Sequence, residues 1–108
     1  MKTQNLFVIG FGTLLVVLTG CGHAGIVNIV RHAQAITGET RVHAVIGGFH
    51  LGGPIFEPTI PLVVDALRGF APSMVVPGHC TGFAATRAIA DALPDAFVLN
   101  AVGTRFRL

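Results

Sequence analysis

The chain contains no tryptophan and no tyrosine; its aromatic residues are all phenylalanine, eight in 108 positions. No basic run interleaves with them, and the net charge of +2 is spread over scattered Lys and Arg. That argues against a nucleic-acid partner, whose surface calls for clustered cations and stacking aromatics. Charge of either sign is scarce, with 11% Asp, Glu, Lys and Arg against 52% apolar residues. A disordered tail is excluded by that balance, and strands covered on both faces are favoured. Only two cysteines are present, Cys21 and Cys80. Each stands close to a histidine in a glycine-rich stretch, a setting that fits a reducing compartment, the cytoplasm, better than a disulfide framework. The length suits one domain, 1–108.

The longest apolar run, residues 6–18, follows Lys2 and leads into Leu18-Thr19-Gly20-Cys21. Two parses compete. One is a bacterial lipoprotein signal with its lipobox at Cys21, although Gly10 and Gly12 interrupt its apolar region. The other is a pair of strands, 6–11 and 13–19, turning at Gly12. Downstream, Ile26, Ile29, Val30, Ala33 and Ile36 recur at helical spacing before Gly38, which predicts a helix over 24–37. Residues 41–47 read as a buried strand. A loop rich in Gly and Pro, 51–58, precedes a second helix carried by Ile60, Val63, Val64 and Leu67 and ending near Gly69. Residues 73–76 are again a strand. A third helix over 81–93 is expected to turn Phe83, Ala84, Ile89 and Leu93 inward and to stop at Pro94. Strands over 96–99 and 104–108 close the order ββαβαβαββ. This alternation specifies an α/β domain with a mostly parallel sheet.

One unit occurs three times: an apolar strand, a glycine-containing turn, then a histidine. The instances end in Gly20-Cys21-Gly22-His23, Gly47-Gly48-Phe49-His50 and Pro77-Gly78-His79. If the three strands are parallel neighbours, all three histidines leave the sheet at its carboxyl-terminal edge, where open α/β folds place their ligands. Neutral imidazole suits zinc and iron, and glycine before each histidine lets the backbone turn tightly around an ion. A single histidine at a strand end is more often a solvated turn residue; three in the same slot favour metal binding. His32, on a polar helix face, and His43, inside a strand, read as structural or solvent-facing. Cys80 adjoins His79, while Thr81 and Gly82 open the third helix. The backbone N–H groups there can hold a substrate phosphate, or Thr81 can serve simply as the helix N-cap.

The stretches Leu18-Thr19-Gly20-Cys21-Gly22-His23-Ala24-Gly25-Ile26-Val27-Asn28-Ile29, Ile46-Gly47-Gly48-Phe49-His50-Leu51 and Pro77-Gly78-His79-Cys80-Thr81-Gly82 resemble, in order and separation, a metallo-β-lactamase-fold family. It is the family of 7,8-dihydropterin-6-methyl-4-(β-D-ribofuranosyl)-aminobenzene-5'-phosphate synthase-like proteins. The resemblance implies half of an αββα sandwich, a mixed sheet with helices on one face, corresponding to the family's carboxyl-terminal half. It assigns His23 to the third metal motif and His79 to the fifth. His50 stands at the fourth, where many relatives carry a metal-bridging Asp, so it is either a ligand or a substrate-facing group. The family's opening His-x-His-x-Asp-His motif occurs nowhere in these 108 residues.

The resemblance therefore implies an incomplete site for a divalent metal, zinc by preference, with Cys80, Thr81 and Gly82 facing a phosphorylated, pterin-related substrate. The chain alone would have little or no activity. The partner expected is the missing amino-terminal half, with this chain either a truncated product or a subunit of a split enzyme, or else a second copy of the chain, with no nucleic acid and no membrane involved. Cleavage before Cys21 would remove both opening strands, so the lipoprotein and sheet readings exclude each other.

Overall fold

The computed structural model describes residues 6–11, 14–20, 22, 25–99 and 105, with residues 6–11 and 79 described through their backbone. The opening run folds as the pair of strands: β1, Leu6–Phe11, lies antiparallel to β2, Leu14–Thr19. Then follow α1, Ile26–Thr37; β3, Val42–Gly48; α2, Ile60–Phe70; β4, Met74–Gly78; and α3, Phe83–Ala92. The sheet order is β1-β2-β3-β4, with β3 parallel to both β2 and β4. The sheet is mixed: its helix-connected strands are parallel, as their alternation with helices requires, and the opening hairpin adds the antiparallel pair.

The ends of α1 and α2 have local causes in the sequence. At the end of α1, Gly38 takes the left-handed conformation (φ 73°) and returns its N–H to the Gln34 carbonyl, a cap that glycine adopts without steric cost. Pro61 falls in the first turn of α2, where its missing N–H has no helical partner to lose. The inward stripes, Ile26, Ile29, Val30 and Ala33 of α1, Ile60, Val64 and Leu67 of α2, and Ala85 and Ile89 of α3, join Leu15, Val17, Val45 and Val75 of the sheet in a single core. All three helices therefore cover the same sheet face. Burying each of the larger aliphatic side chains contributes about 1.5–3 kcal/mol, so this core dominates the stability of the domain.

The other sheet face is also apolar. Val16, Ala44 and Val76, which alternate with the core residues along their strands, are 1%, 0% and 0% exposed, while Leu18, Ile46 and Met74 are half-buried. Much of this face is therefore buried as well, in keeping with strands apolar on both sides.

Two local expectations are corrected. The third helix starts at Phe83 rather than at residue 81, because His79–Thr81 forms a separate 3₁₀ turn. Ile89 faces the core as expected and half-buried Leu93 packs against it, but in the first turn Ala85 is inward while Ala84 is exposed and Phe83 is 81% exposed. Replacing Phe83 by serine should change stability by no more than about 0.5 kcal/mol, checked by urea denaturation. Residues 96–99 do not form a strand. Ala96 and Phe97 spend their N–H groups on the Leu93 carbonyl, closing the turn around Pro94, and only a single parallel bridge joins Phe97 to Val75. The expected strand over 104–108 lies outside the described residues apart from Arg105.

Candidate functional site

Because β2, β3 and β4 run parallel, the turns that follow them emerge at one edge. His50 lies two residues beyond the end of β3, and His79 follows the last residue of β4 directly. His23 and Cys21 lie outside the described residues, but Gly20 and Gly22, which flank that turn, are placed.

The three turns are joined to one another through the backbone. Gly48 donates its N–H to the Gly20 carbonyl at 2.7 Å, linking the β2 and β3 turns. Gly22 lies against the Gly48 carbonyl and the Phe49 Cα. Between the β3 and β4 turns, the Phe49 N–H donates to Thr81 Oγ1 at 3.1 Å, and that hydroxyl donates to the Gly78 carbonyl at 2.8 Å. Gly52 donates to the Cys80 carbonyl at 3.4 Å, and Gly82 packs on the Gly52 backbone so tightly that a Cβ there would come within 2.7 Å of the Gly52 Cα. The histidine-bearing turns therefore form one layer at the carboxyl-terminal edge.

His50 itself is held in the left-handed region, φ 53°, where a residue with a Cβ needs its surroundings to hold it. Its ring meets Phe56 edge to face with centroids 4.8 Å apart. Beside it opens a cleft of about 220 Å³ between the amino-terminal ends of α1 and α2, lined by Ile26, Asn28, Phe49, His50, Phe56 and Val63 among others. The walls are mostly apolar with a few polar groups, the composition usual for small-molecule sites. This cleft was not foreseen from the sequence; the available signal was Phe56, a large apolar residue in a Gly- and Pro-rich loop, which lines the cleft and is 38% exposed.

The remaining candidates are placed as follows. Cys80 is half-buried in the 3₁₀ turn. Thr81 is 1% exposed, and its hydroxyl serves the two contacts just described rather than capping α3, whose N-cap is Gly82 without a side-chain cap. His32 and His43 are half-buried on α1 and β3, apart from the turns. Glu39, whose carboxyl is held below the usual carboxylate range by the Arg41 backbone N–H and then its guanidinium, precedes β3 and so belongs to the opposite edge. Among the described residues no three His, Cys, Asp or Glu side chains gather closely enough to hold a metal ion. The fit to a metal therefore rests on the shared layer of turns and on imidazole as the donor type.

Comparison with known proteins agrees with this geometry. In sequence the chain is 36% identical over 83 residues to the 7,8-dihydropterin-6-methyl-4-(β-D-ribofuranosyl)-aminobenzene-5'-phosphate synthase of Methanocaldococcus jannaschii, a match covering 77% of this chain and 28% of that protein. An uncharacterized protein of the same organism is 34% identical over 82 residues, covering 76% of this chain and 29% of its own length. In structure the chain superposes on a metal-dependent hydrolase of the β-lactamase superfamily with a TM-score of 0.80 and 31% identity, over 94% of this chain and 39% of the hydrolase. The chain belongs to the metallo-β-lactamase superfamily. No family model matches it. It spans less than a third of the two relatives' length and about two fifths of the hydrolase. The superfamily neighbour is a metal-dependent hydrolase. Among the described residues no helix is long and apolar enough to cross a membrane.

Proposed function

We propose that this chain supplies the carboxyl-terminal part of a divalent-metal site, with zinc the preferred ion, that acts on a phosphorylated, pterin-related small molecule. The observation supporting this reading is the single layer formed by the turns that carry His50 and His79 and by Gly20 and Gly22, which precede His23 in the sequence. His23 and His79 would hold the ion. His50, ring to ring with Phe56 at the cleft, would complete the set or orient substrate. A divalent ion at such a site supplies Lewis-acid polarisation of a phosphoryl oxygen.

The chain's own residues would do the rest. Phe49, Phe56, Ile26 and Val63 give the cleft apolar walls and would position the flat apolar part of a substrate. The substrate phosphate would sit at the start of α3, beside Cys80, Thr81 and Gly82, where no side chain caps the helix and the backbone N–H groups with the helix dipole favour an anion. In the resembling family these histidines are only part of the ligand set, which opens with a His-x-His-x-Asp-His motif found nowhere in these 108 residues, so the reading includes a partner. That partner is an amino-terminal half bearing the His-x-His-x-Asp-His motif or, failing that, a second copy of the chain, and the compartment is the cytoplasm.

Calorimetric titration of zinc into the purified chain tests this. One equivalent should bind, and His23→Ala and His79→Ala should each weaken binding by about tenfold or more, at least the loss expected from removing a supporting residue around a metal. Binding by both variants as tight as that of the parent chain would sink the proposal.

A further inference from the structure

We propose that Thr81 is a positioning residue whose buried hydroxyl locks the His50 turn onto the His79 turn and thereby sets the spacing of the two histidines. The inference rests on the reading of those histidines as parts of one site. A threonine hydroxyl gives one hydrogen bond and accepts others, and Thr81 uses both capacities across the fold: it donates to the Gly78 carbonyl at 2.8 Å and accepts from the Phe49 N–H at 3.1 Å. It is 1% exposed, the one fully buried polar side chain among the described residues, so water has little access to replace either bond.

His50 is bracketed by such ties. The residue before it, Phe49, is held by Thr81, and Gly52, two residues after it, by the Cys80 carbonyl. Both partners belong to the 3₁₀ turn that His79 opens. A non-glycine residue at φ 53° persists only where its surroundings over-determine it, and these flanking bonds act on both sides of His50. Without the hydroxyl, the Phe49 N–H becomes a buried donor lacking its acceptor, and the His50 turn gains freedom to relax away from the left-handed region.

Thr81→Val keeps the shape and removes the hydroxyl; Thr81→Ser keeps the hydroxyl. Three readouts apply: hydrogen exchange of the Phe49 amide, the His50 ring signals in NMR spectra, and zinc affinity by titration. In the parent chain the Phe49 amide should be as protected as those of β3, although it lies beyond that strand's end. Thr81→Val should speed its exchange at least about tenfold, displace the His50 ring signals and weaken zinc by about 10–100-fold, the range for residues that orient metal ligands. Thr81→Ser should restore all three. An unprotected Phe49 amide in the parent chain, Thr81→Val with parental exchange and ring signals, or Thr81→Ser behaving like Thr81→Val would each overturn the assignment. Should Thr81→Val not fold, the parent amide and Thr81→Ser still decide it. Absence of zinc binding by the parent chain would count against the metal site alone, because exchange and ring signals report on the lock without metal.

Discussion

Gly47→Ala is expected to leave the chain largely unfolded. Gly47 closes the paired part of β3 opposite Thr19 and has φ 136°, a conformation costing an L-residue about 1–3 kcal/mol. A Cβ there would also overlap the Thr19 carbonyl oxygen and crowd the Thr19 side chain. The carbonyl belongs to the neighbouring strand and cannot swing aside without breaking the β2–β3 ladder, so overpacking adds about another 1–3 kcal/mol. Together these approach the lower end of the total stability of a domain this size, about 5–15 kcal/mol. Circular dichroism at 25 °C is the measurement: loss of the cooperative thermal transition is expected, and a melting temperature within a few degrees of the parent would refute the close approach.

The second large effect is expected at Phe49→Ala. Phe49 is 1% exposed and the largest of the fully buried side chains, joining the core while its backbone N–H reaches Thr81. Truncation removes packing and leaves a cavity, at a cost of about 3–5 kcal/mol, which for a domain of this length lowers the melting temperature by roughly 12 °C or more. Phe49 also walls the cleft beside His50, so the variant should enlarge that cleft and loosen whatever small molecule it takes. The backbone bond to Thr81 is retained, which separates loss of core from loss of the lock: if Phe49→Ala melts as the parent does, the side chain is not part of the core, whatever Thr81 does. Phe49→Leu should recover most of the loss, since it restores much of the buried volume.

Much of the fold was legible in the residues. The helical recurrence Ile26, Ile29, Val30, Ala33 matches the buried face of α1, because a 3.6-residue period sets one face inward, whereas Ile36, expected on the same stripe, is 61% exposed in the last turn. Ile60, Val64 and Leu67 did the same for α2. The short apolar runs bounded by glycine became β2, β3 and β4. In the third helix Ile89 is inward as expected, but the first turn is not as expected, with Phe83 and Ala84 exposed and Ala85 buried. Alanine contributes little directional signal, so the sequence around Phe83, Ala84 and Ala85 does not say which face is inside; the intervening 3₁₀ turn decided it by shifting the helix start by two residues. The stretch 96–99 has the composition of a strand, but the Ala96 and Phe97 N–H groups are claimed by the turn at Pro94, and pairing with β4 is limited to the bonds that Ala96 and Val98 make with Val75.

The candidate site divides in the same way. Three histidines after three strand ends, each preceded by glycine, could be read from the chain alone, because parallel neighbours must deliver their carboxyl ends to one edge. Local sequence also carried Gly47 and Gly82 as turn residues, though not the backbones they let approach. Only the tertiary structure set Thr81 under Phe49, thirty-two positions away in sequence, turned a presumed helix cap into a cross-turn lock, and opened the cleft between α1, α2 and the His50 loop. A hydroxyl can cap a helix, bind an anion or bridge two turns with equal chemistry. Which it does depends on the donors and acceptors that long-range packing brings within 3 Å, roughly hydrogen-bond distance, and no periodicity in the chain encodes that.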